Sequence, residues 1–116
     1  MDVQGLGKSV NEALVLAVLG GREQHGYEIA LEVERRTGGR FSFRHGTLYP
    51  ILHRLEAEGW IDGEWEQVEG RRRKRYRLTR AGARRMGVEA ERLSNAFDTL
   101  QAFLGEGRRR ALPDAS

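Results

Sequence analysis

The sequence contains no cysteine, so it can form neither a disulfide framework nor a thiolate metal site. This absence suits a reducing compartment, and we predict a cytoplasmic protein. No apolar run approaches the roughly 18 residues that a membrane-spanning helix needs, so we expect no role in a membrane. The first ten residues, MDVQGLGKSV, lack the basic and apolar segments of a secretory signal.

The sequence also lacks the usual signatures of catalysis. None of its three histidines has a carboxylate at metal-ligand spacing. No glycine-rich phosphate loop follows a predicted strand, and no nucleophile elbow is present. We therefore expect no catalytic residues, no metal site and no cofactor.

The charges that are present favour a polyanionic partner. The chain has 116 residues, enough for one compact domain, and its 20 Lys and Arg exceed its 17 Asp and Glu. The net charge of +3 is small, so the distribution of the basic residues matters more than their sum.

Helical spacing of apolar residues predicts two helices in the first forty residues. The first is expected over residues 9–20, because Ser9 and Glu12 have the spacing of a capping box. The second is expected over residues 25–37, with Tyr27 on its inner face and two glycines at its end.

A third helix is predicted from about Gly46, because Pro50 has no amide hydrogen and fits only a first turn. Its apolar stripe consists of Leu48, Ile51, Leu52 and Leu55. The face away from this stripe is polar and basic, and it can contact a partner while the stripe stays packed. The residues predicted there include Thr47, Tyr49, His53 and Arg54.

Residues 60–67 and 72–78 predict a β-hairpin, because aromatic and branched residues alternate with charges. If residue 61 pairs with 78, the two strands place opposite charges across from each other. In this register Asp62, Glu64 and Glu66 lie opposite Arg77, Arg75 and Arg73. The other face, which includes Trp65, is expected to pack on the core with Ile61, Tyr76 and Leu78.

Two arginines at the hairpin tip, Arg71 and Arg72, have only Glu69 nearby and are predicted to contact DNA. Lys74 lies across from Trp65, so it is predicted either to contact DNA as well or to lie over the indole ring.

Thr79 can cap a last helix over residues 80–104. Its apolar residues alternate in steps of three and four, which is a heptad seam and predicts pairing with a second copy of the chain. The seam consists of Ala83, Met86, Ala90, Leu93, Phe97, Leu100 and Leu104. Residues 105–116 show no periodicity, and we expect them to form a disordered tail.

These elements predict a mainly α fold with a small β-hairpin: a winged helix-turn-helix domain over residues 1–79, followed by a dimerisation helix. In such domains the third helix enters the DNA major groove, which is about 12 Å wide. Sequence-specific binding to double-stranded DNA is therefore the expected function.

Five sequence features together resemble the PadR family of bacterial transcriptional regulators. They are HGYEI at residues 25–29, GTLYP at 46–50, LEAEGWI at 55–61, RYRLT at 75–79, and Gly82. The resemblance covers roughly residues 9–104 and is specific only when the motifs are combined. The short C-terminal part, a single helix, resembles that of the compact branch of the family.

The resemblance implies a dimeric winged-helix repressor in which Thr47 and Tyr49 meet DNA phosphates and the wing supplies basic contacts. Many relatives have Ser-Pro before the glycine of the GTLYP motif, where this chain has Arg44-His45. The hydroxyl cap is therefore missing, and Arg44 is a candidate phosphate contact in its place. The resemblance to compact PadR dimers leaves two roles open for Leu93 and Phe97: they line a space for a flat apolar effector between subunits, or they are seam residues only.

Two alternatives remain at this point. A MarR-like or other dimeric, ligand-responsive winged-helix regulator would share the same DNA chemistry. A winged helix can also serve as a protein-interaction module, although the basic third helix and hairpin favour nucleic acid.

Overall fold

A computed structural model describes residues 2–44 and 46–112, and it has the helices and hairpin that the sequence predicts. A three-stranded antiparallel sheet, with strand order β1-β3-β2, packs beside three helices, and a long fourth helix extends away from them. The elements are α1 (Val3–Leu19), β1 (Gln24–His25), α2 (Gly26–Arg36), α3 (Leu48–Ala57), β2 (Ile61–Val68), β3 (Arg71–Leu78) and α4 (Arg80–Ala111).

Helix α1 supplies much of the core, but its predicted start is wrong. It begins at Val3 rather than at residue 9, because the Asp2 side chain accepts a hydrogen bond from the Gly5 amide and caps it. Ser9 and Glu12 are therefore buried positions inside the helix rather than a capping box. The end of α1 at Gly20 is as predicted.

Helix α2 is preceded by a short strand that sequence reasoning missed. Gln24 and His25 pair with Tyr76 and Arg75 at the edge of the hairpin. Two residues carry no periodic pattern, so no sequence signal distinguishes them from a loop. Tyr27 was predicted on the inner face of α2, but it is 67% exposed.

Helix α3 buries its predicted stripe. Leu48, Ile51, Leu52 and Leu55 are all at most 7% exposed and belong to one core cluster with α1, α2 and the sheet. Pro50 lies in the first turn, as its missing amide hydrogen requires. The opposite face of α3 is consequently left open to a partner.

The hairpin of β2 and β3, called the wing below, has the predicted register. Ile61 pairs with Leu78 and Trp65 with Lys74. The two turn residues, Glu69 and Gly70, both have positive φ, which matches the twist of a two-residue hairpin. Trp65 shares a face with buried Ile61, but it lies beyond the edge of the core and is 58% exposed.

Helix α4 starts where predicted, because the Thr79 hydroxyl accepts a hydrogen bond from the Gly82 amide at 2.9 Å. Its predicted end at residue 104 is wrong, since the helix continues to Ala111. The predicted tail therefore lies outside the helix only from Leu112, and residues 113–116 are outside the described part of the chain. The division into domains at residue 79 stays a prediction.

Candidate nucleic-acid interface

An open recess of about 500 Å³ lies between α3 and the wing, and it collects half of the predicted contact residues. Tyr49, His53, Arg72 and Lys74 all line it. The other four predicted contacts lie outside the recess. They are Arg44, which is exposed before α3, and Thr47, Arg54 and Arg71. His45 is outside the described residues.

The N-terminal end of α3 carries two hydroxyl residues, Thr47 and Tyr49, of which Tyr49 lines the recess. Thr47 occupies the N-cap position without a side-chain cap hydrogen bond. Tyr49 is 60% exposed, and its ring lies against Gly26, where a Cβ atom would come within 3.3 Å of the phenolic oxygen. Both residues belong to the first turn of α3 or cap it, and the free amides of that turn favour anions.

Further along α3, the two basic residues predicted on its exposed face, His53 and Arg54, differ in their surroundings. His53 is exposed on the recess side. The guanidinium of Arg54 instead donates hydrogen bonds of 3.0 and 3.2 Å to Glu12, a carboxylate of α1 that is almost fully buried. Because a buried carboxylate needs a partner, this ion pair holds Arg54 on the opposite edge of α3 from Tyr49.

The wing tip carries arginines without carboxylate partners. Arg71, Arg72 and Arg73 are exposed and form no ion pair within residues 2–44 and 46–112. The Arg72 guanidinium lies over the Trp65 ring, 4.7 Å from its centroid, which fixes its direction. Sequence reasoning paired Arg73 with Glu66 and so missed it as a candidate contact.

Lys74 is held inside the recess rather than at its rim. Its ammonium donates a 2.7 Å hydrogen bond to Glu56 of α3 and lies 5.6 Å from the centroid of the Trp65 ring. The Glu56 carboxylate raises the pKa of Lys74 above its usual value. The closer carboxylate is thus its main partner, and the indole ring is secondary.

On the outer face of the wing, a carboxylate joins three elements. Glu66 of β2 accepts two hydrogen bonds from Arg75, at 2.9 and 3.1 Å, and lies 2.7 Å from His25 Nε2. His25 Nδ1 is 3.0 Å from Glu28 of α2. Hydrogen bonds from Arg75 first, and then from His25, lower the pKa of Glu66 below its usual range.

These contacts correct two predicted ion pairs. Arg75 bonds diagonally to Glu66 instead of to Glu64 directly opposite, because its long side chain reaches the next outward position. Only the Asp62 and Arg77 pair forms as expected, at 3.2 Å.

The heptad seam of α4 divides into a packed part and an exposed part. Met86 and Leu93 pack within the chain, and Leu93 is only 8% exposed. Phe97, Leu100 and Leu104 are each more than 40% exposed, and Phe103, which sequence reasoning did not select, is 73% exposed. The two alanines of the seam, Ala83 and Ala90, lie in the first half of the helix and are exposed.

The described residues include no group of histidine and acidic side chains that could hold a metal ion. No helix among them is both long enough and apolar enough to cross a bilayer.

The sequence pattern of the PadR-like family of transcriptional regulators matches residues 15–88. The chain belongs to the PadR family. The match runs from the second half of α1 to the start of α4, so it includes α3 and the whole wing. PadR members are transcriptional regulators, which confirms the expectation that the chain is not an enzyme and sets aside the MarR-like alternative.

One relative in sequence and one in structure are themselves transcriptional regulators. The transcriptional regulator Rv3488 of Mycobacterium tuberculosis is 50% identical over 60 residues, which are 52% of this chain and about half, 53%, of that protein. A transcriptional regulator from Clostridium thermocellum is 25% identical with a TM-score of 0.77, covering 83% of this chain and 94% of that one.

One solved relative contains nucleic acid. The structure of Bacillus subtilis PadR in complex with operator DNA has a TM-score of 0.62 at 29% identity. The match covers 67% of this chain but 44% of that one.

Proposed function

We propose that this PadR-family chain is a homodimeric repressor of transcription that binds operator DNA with α3 and the wing. The observation that carries the proposal is the shared recess, which places hydroxyl, imidazole and guanidinium groups of α3 and the wing around one open concavity. Groups of this kind can form hydrogen bonds both with the phosphates of a DNA duplex and with the base edges in its grooves. The Bacillus subtilis relative, which was solved in complex with operator DNA, supports DNA as the partner.

In this proposal α3 enters the major groove, which accepts one helix. Thr47 and Tyr49 contact phosphates at its N-terminal end, with Arg44 just before it, and His53 reaches base edges. Arg54 has a smaller role than the sequence suggests, because Glu12 already binds its guanidinium.

The wing enters the neighbouring minor groove through its tip. Arg71 and Arg72 are free to contact phosphates or the groove floor, and Arg73 joins them. Lys74 contributes less direct contact, since its ammonium is already bound to Glu56.

The exposed end of α4 is proposed to pair with α4 of a second copy. Phe97, Leu100 and Leu104 keep heptad spacing on a helix that extends beyond the rest of the chain, whose longest dimension is 66 Å. An identical helix is the partner that matches a 3.5-residue repeat. A flat apolar effector between subunits would meet Phe97, whereas Leu93 is covered within the chain.

The test starts from duplexes of random sequence, from which the purified protein selects its operator over several rounds. The selected duplex should bind more tightly than a shuffled duplex of the same composition. Each phosphate contact adds about 0.9 to the slope of log affinity against log salt, so two subunits predict a magnitude of roughly 5 or more. A flat salt response, or no enrichment, would instead favour the protein-interaction module.

A further inference from the structure

We propose that two ties, the ion pair of Lys74 with Glu56 and the hydrogen bond between His25 and Glu66, fix the wing relative to α3 and α2, and that Glu56 and Glu66 are positioning residues for DNA recognition. The inference rests on the proposed DNA-binding function. It gives a role to these two carboxylates, whose negative charge would otherwise be unfavourable in a surface that binds DNA.

The first tie is on the inner face of the wing. Lys74 of β3 crosses in front of β2 and donates to Glu56 of α3 at 2.7 Å, and both side chains are less than 30% exposed. At this crossing β2 has Gly63, where a Cβ atom would overlap Lys74 Cε and lie 3.2 Å from Glu56 Oε2. The space that this glycine leaves is what lets Lys74 reach α3.

The second tie is on the outer face. Glu66 binds Arg75 within the wing and His25 at the start of α2, and His25 in turn faces Glu28. His25 is the last residue of β1, so the carboxylate joins β1, β2 and β3 at one point and reaches α2 through His25. Together with the first tie, it holds the wing from both faces.

A two-stranded hairpin is only marginally stable by itself, and most of this wing lies beyond the core. The contacts are still partly exposed to water, which screens them, so they add little to global stability and act mainly on direction. Direction matters because α3 and the wing must enter adjacent grooves at the same time. A misdirected wing should weaken the specific complex more than loose binding to any duplex, which needs no fixed register.

The experiment compares Gly63→Ala, Glu56→Gln and Glu66→Gln with the control Glu64→Gln in the full-length protein. Gly63→Ala displaces Lys74 without changing any charge. Glu64 lies on the same strand and outer face as Glu66 and makes no ion pair in the described part of the chain. Each Glu→Gln change raises the net charge equally, so the control corrects for stronger non-specific attraction.

The readout is the ratio of the dissociation constants for a shuffled duplex and for the duplex selected by the wild-type protein. We expect this ratio to fall about tenfold in the three tie variants, as when one base contact is lost, and to stay unchanged in Glu64→Gln. Melting temperatures should change little in all four. Unchanged ratios in the folded tie variants, or an equal fall in Glu64→Gln, would overturn the proposal.

The reversed pair Glu56→Lys with Lys74→Glu separates positioning from contact. It should recover most of the ratio lost in Glu56→Gln, because the tie is restored with opposite polarity. A lack of recovery would show that Lys74 acts on DNA directly and would overturn its positioning role.

Amide hydrogen exchange in the free protein tests the ties without DNA. Exchange in β2 and β3 should be faster in Gly63→Ala and Glu56→Gln than in Glu64→Gln. Equal exchange would overturn the proposal even if DNA binding is sound. A wild-type protein that selects no duplex would contradict the proposed function, whatever the exchange rates show.

Discussion

At the scale of single residues, the cations of the wing fall into two groups according to whether a carboxylate already binds them. Lys74, Arg75 and Arg77 are each within 3.2 Å of a carboxylate oxygen. Arg71 and Arg72 at the tip have no such partner among the described residues. A phosphate can bind the tip arginines without displacing an existing ion pair, so the tip is the more favourable contact.

This difference predicts the effect of removing the tip charges. Arg71→Ala with Arg72→Ala should weaken binding to all duplexes and lower the salt slope by about 0.9 for each lost phosphate contact. The melting temperature should stay nearly constant, because both side chains are exposed. Titration at several salt concentrations and thermal unfolding measure the two effects.

The matched control is Arg80→Ala with Arg84→Ala, which removes the same charge from exposed positions away from the recess that form no ion pair among the described residues. Arg75 and Arg77 are unsuitable, because their loss would also release Glu66 and Asp62. If the control pair weakens DNA binding as much as the tip pair, the wing acts through its overall charge and not through its tip.

At the scale of elements, the sequence was most informative where a pattern repeats over several residues. The alternating charges of the wing predicted its register, because slipping by one residue would move every side chain to the other face. The individual ion pairs could not be predicted, since a long arginine reaches diagonal as well as opposite partners. Similarly, β1 was not predicted, because two residues are too few to show a period. The start of α1 was predicted several residues too late, because Asp2, rather than Ser9, caps the helix.

The junction of the wing and α4 shows a contact that no periodicity reveals. Gly82 is buried, and a Cβ atom there would overlap the backbone carbonyl of Trp60. The Thr79 hydroxyl donates a 2.7 Å hydrogen bond to the carbonyl of Gly59, so the start of α4 is packed tightly against the turn after α3. A side chain at residue 82 can be accommodated only if this backbone moves.

We therefore expect alanine to change the free energy of unfolding in opposite directions at two glycines of α4. Gly82→Ala should lower the free energy of unfolding by about 1–3 kcal/mol, because overpacking displaces backbone. Gly87→Ala, an exposed helical position with open space around it, should raise that free energy by about 0.5–1 kcal/mol. Urea unfolding of both variants measures the difference, and a Gly82→Ala protein as stable as the wild type would contradict the close packing.

At the scale of the whole molecule, α4 connects DNA binding to assembly. Its first half packs on α1 and contains buried Leu93 and Glu89, and the Glu89 carboxylate binds Arg85 and Arg92 of the same helix at 2.6 and 3.0 Å. Its second half presents an apolar face to solvent. The heptad spacing predicted the seam, but it could not tell which seam residues are covered within one chain, because both kinds follow the same period.

The dimer is therefore best tested at seam residues that are exposed in the single chain, and not at those that are already packed. Leu93→Glu would place a charge in the packed part and confuse unfolding with dissociation. Leu100→Glu with Leu104→Glu should instead give a folded monomer, because both side chains are about half exposed. The matched control is Asn95→Glu with Ala102→Glu, which adds the same charge to exposed positions opposite the seam.

Sedimentation equilibrium should find a dimer for the wild type and the control, and a monomer for Leu100→Glu with Leu104→Glu. The monomer should keep its helical circular dichroism but bind the selected duplex weakly. Its salt slope should be about half that of the dimer, because one subunit makes half of the phosphate contacts. A monomeric wild type, or a double variant that remains a dimer, would remove the α4 seam as the interface; a monomer that keeps full affinity would show that a single winged helix suffices for recognition.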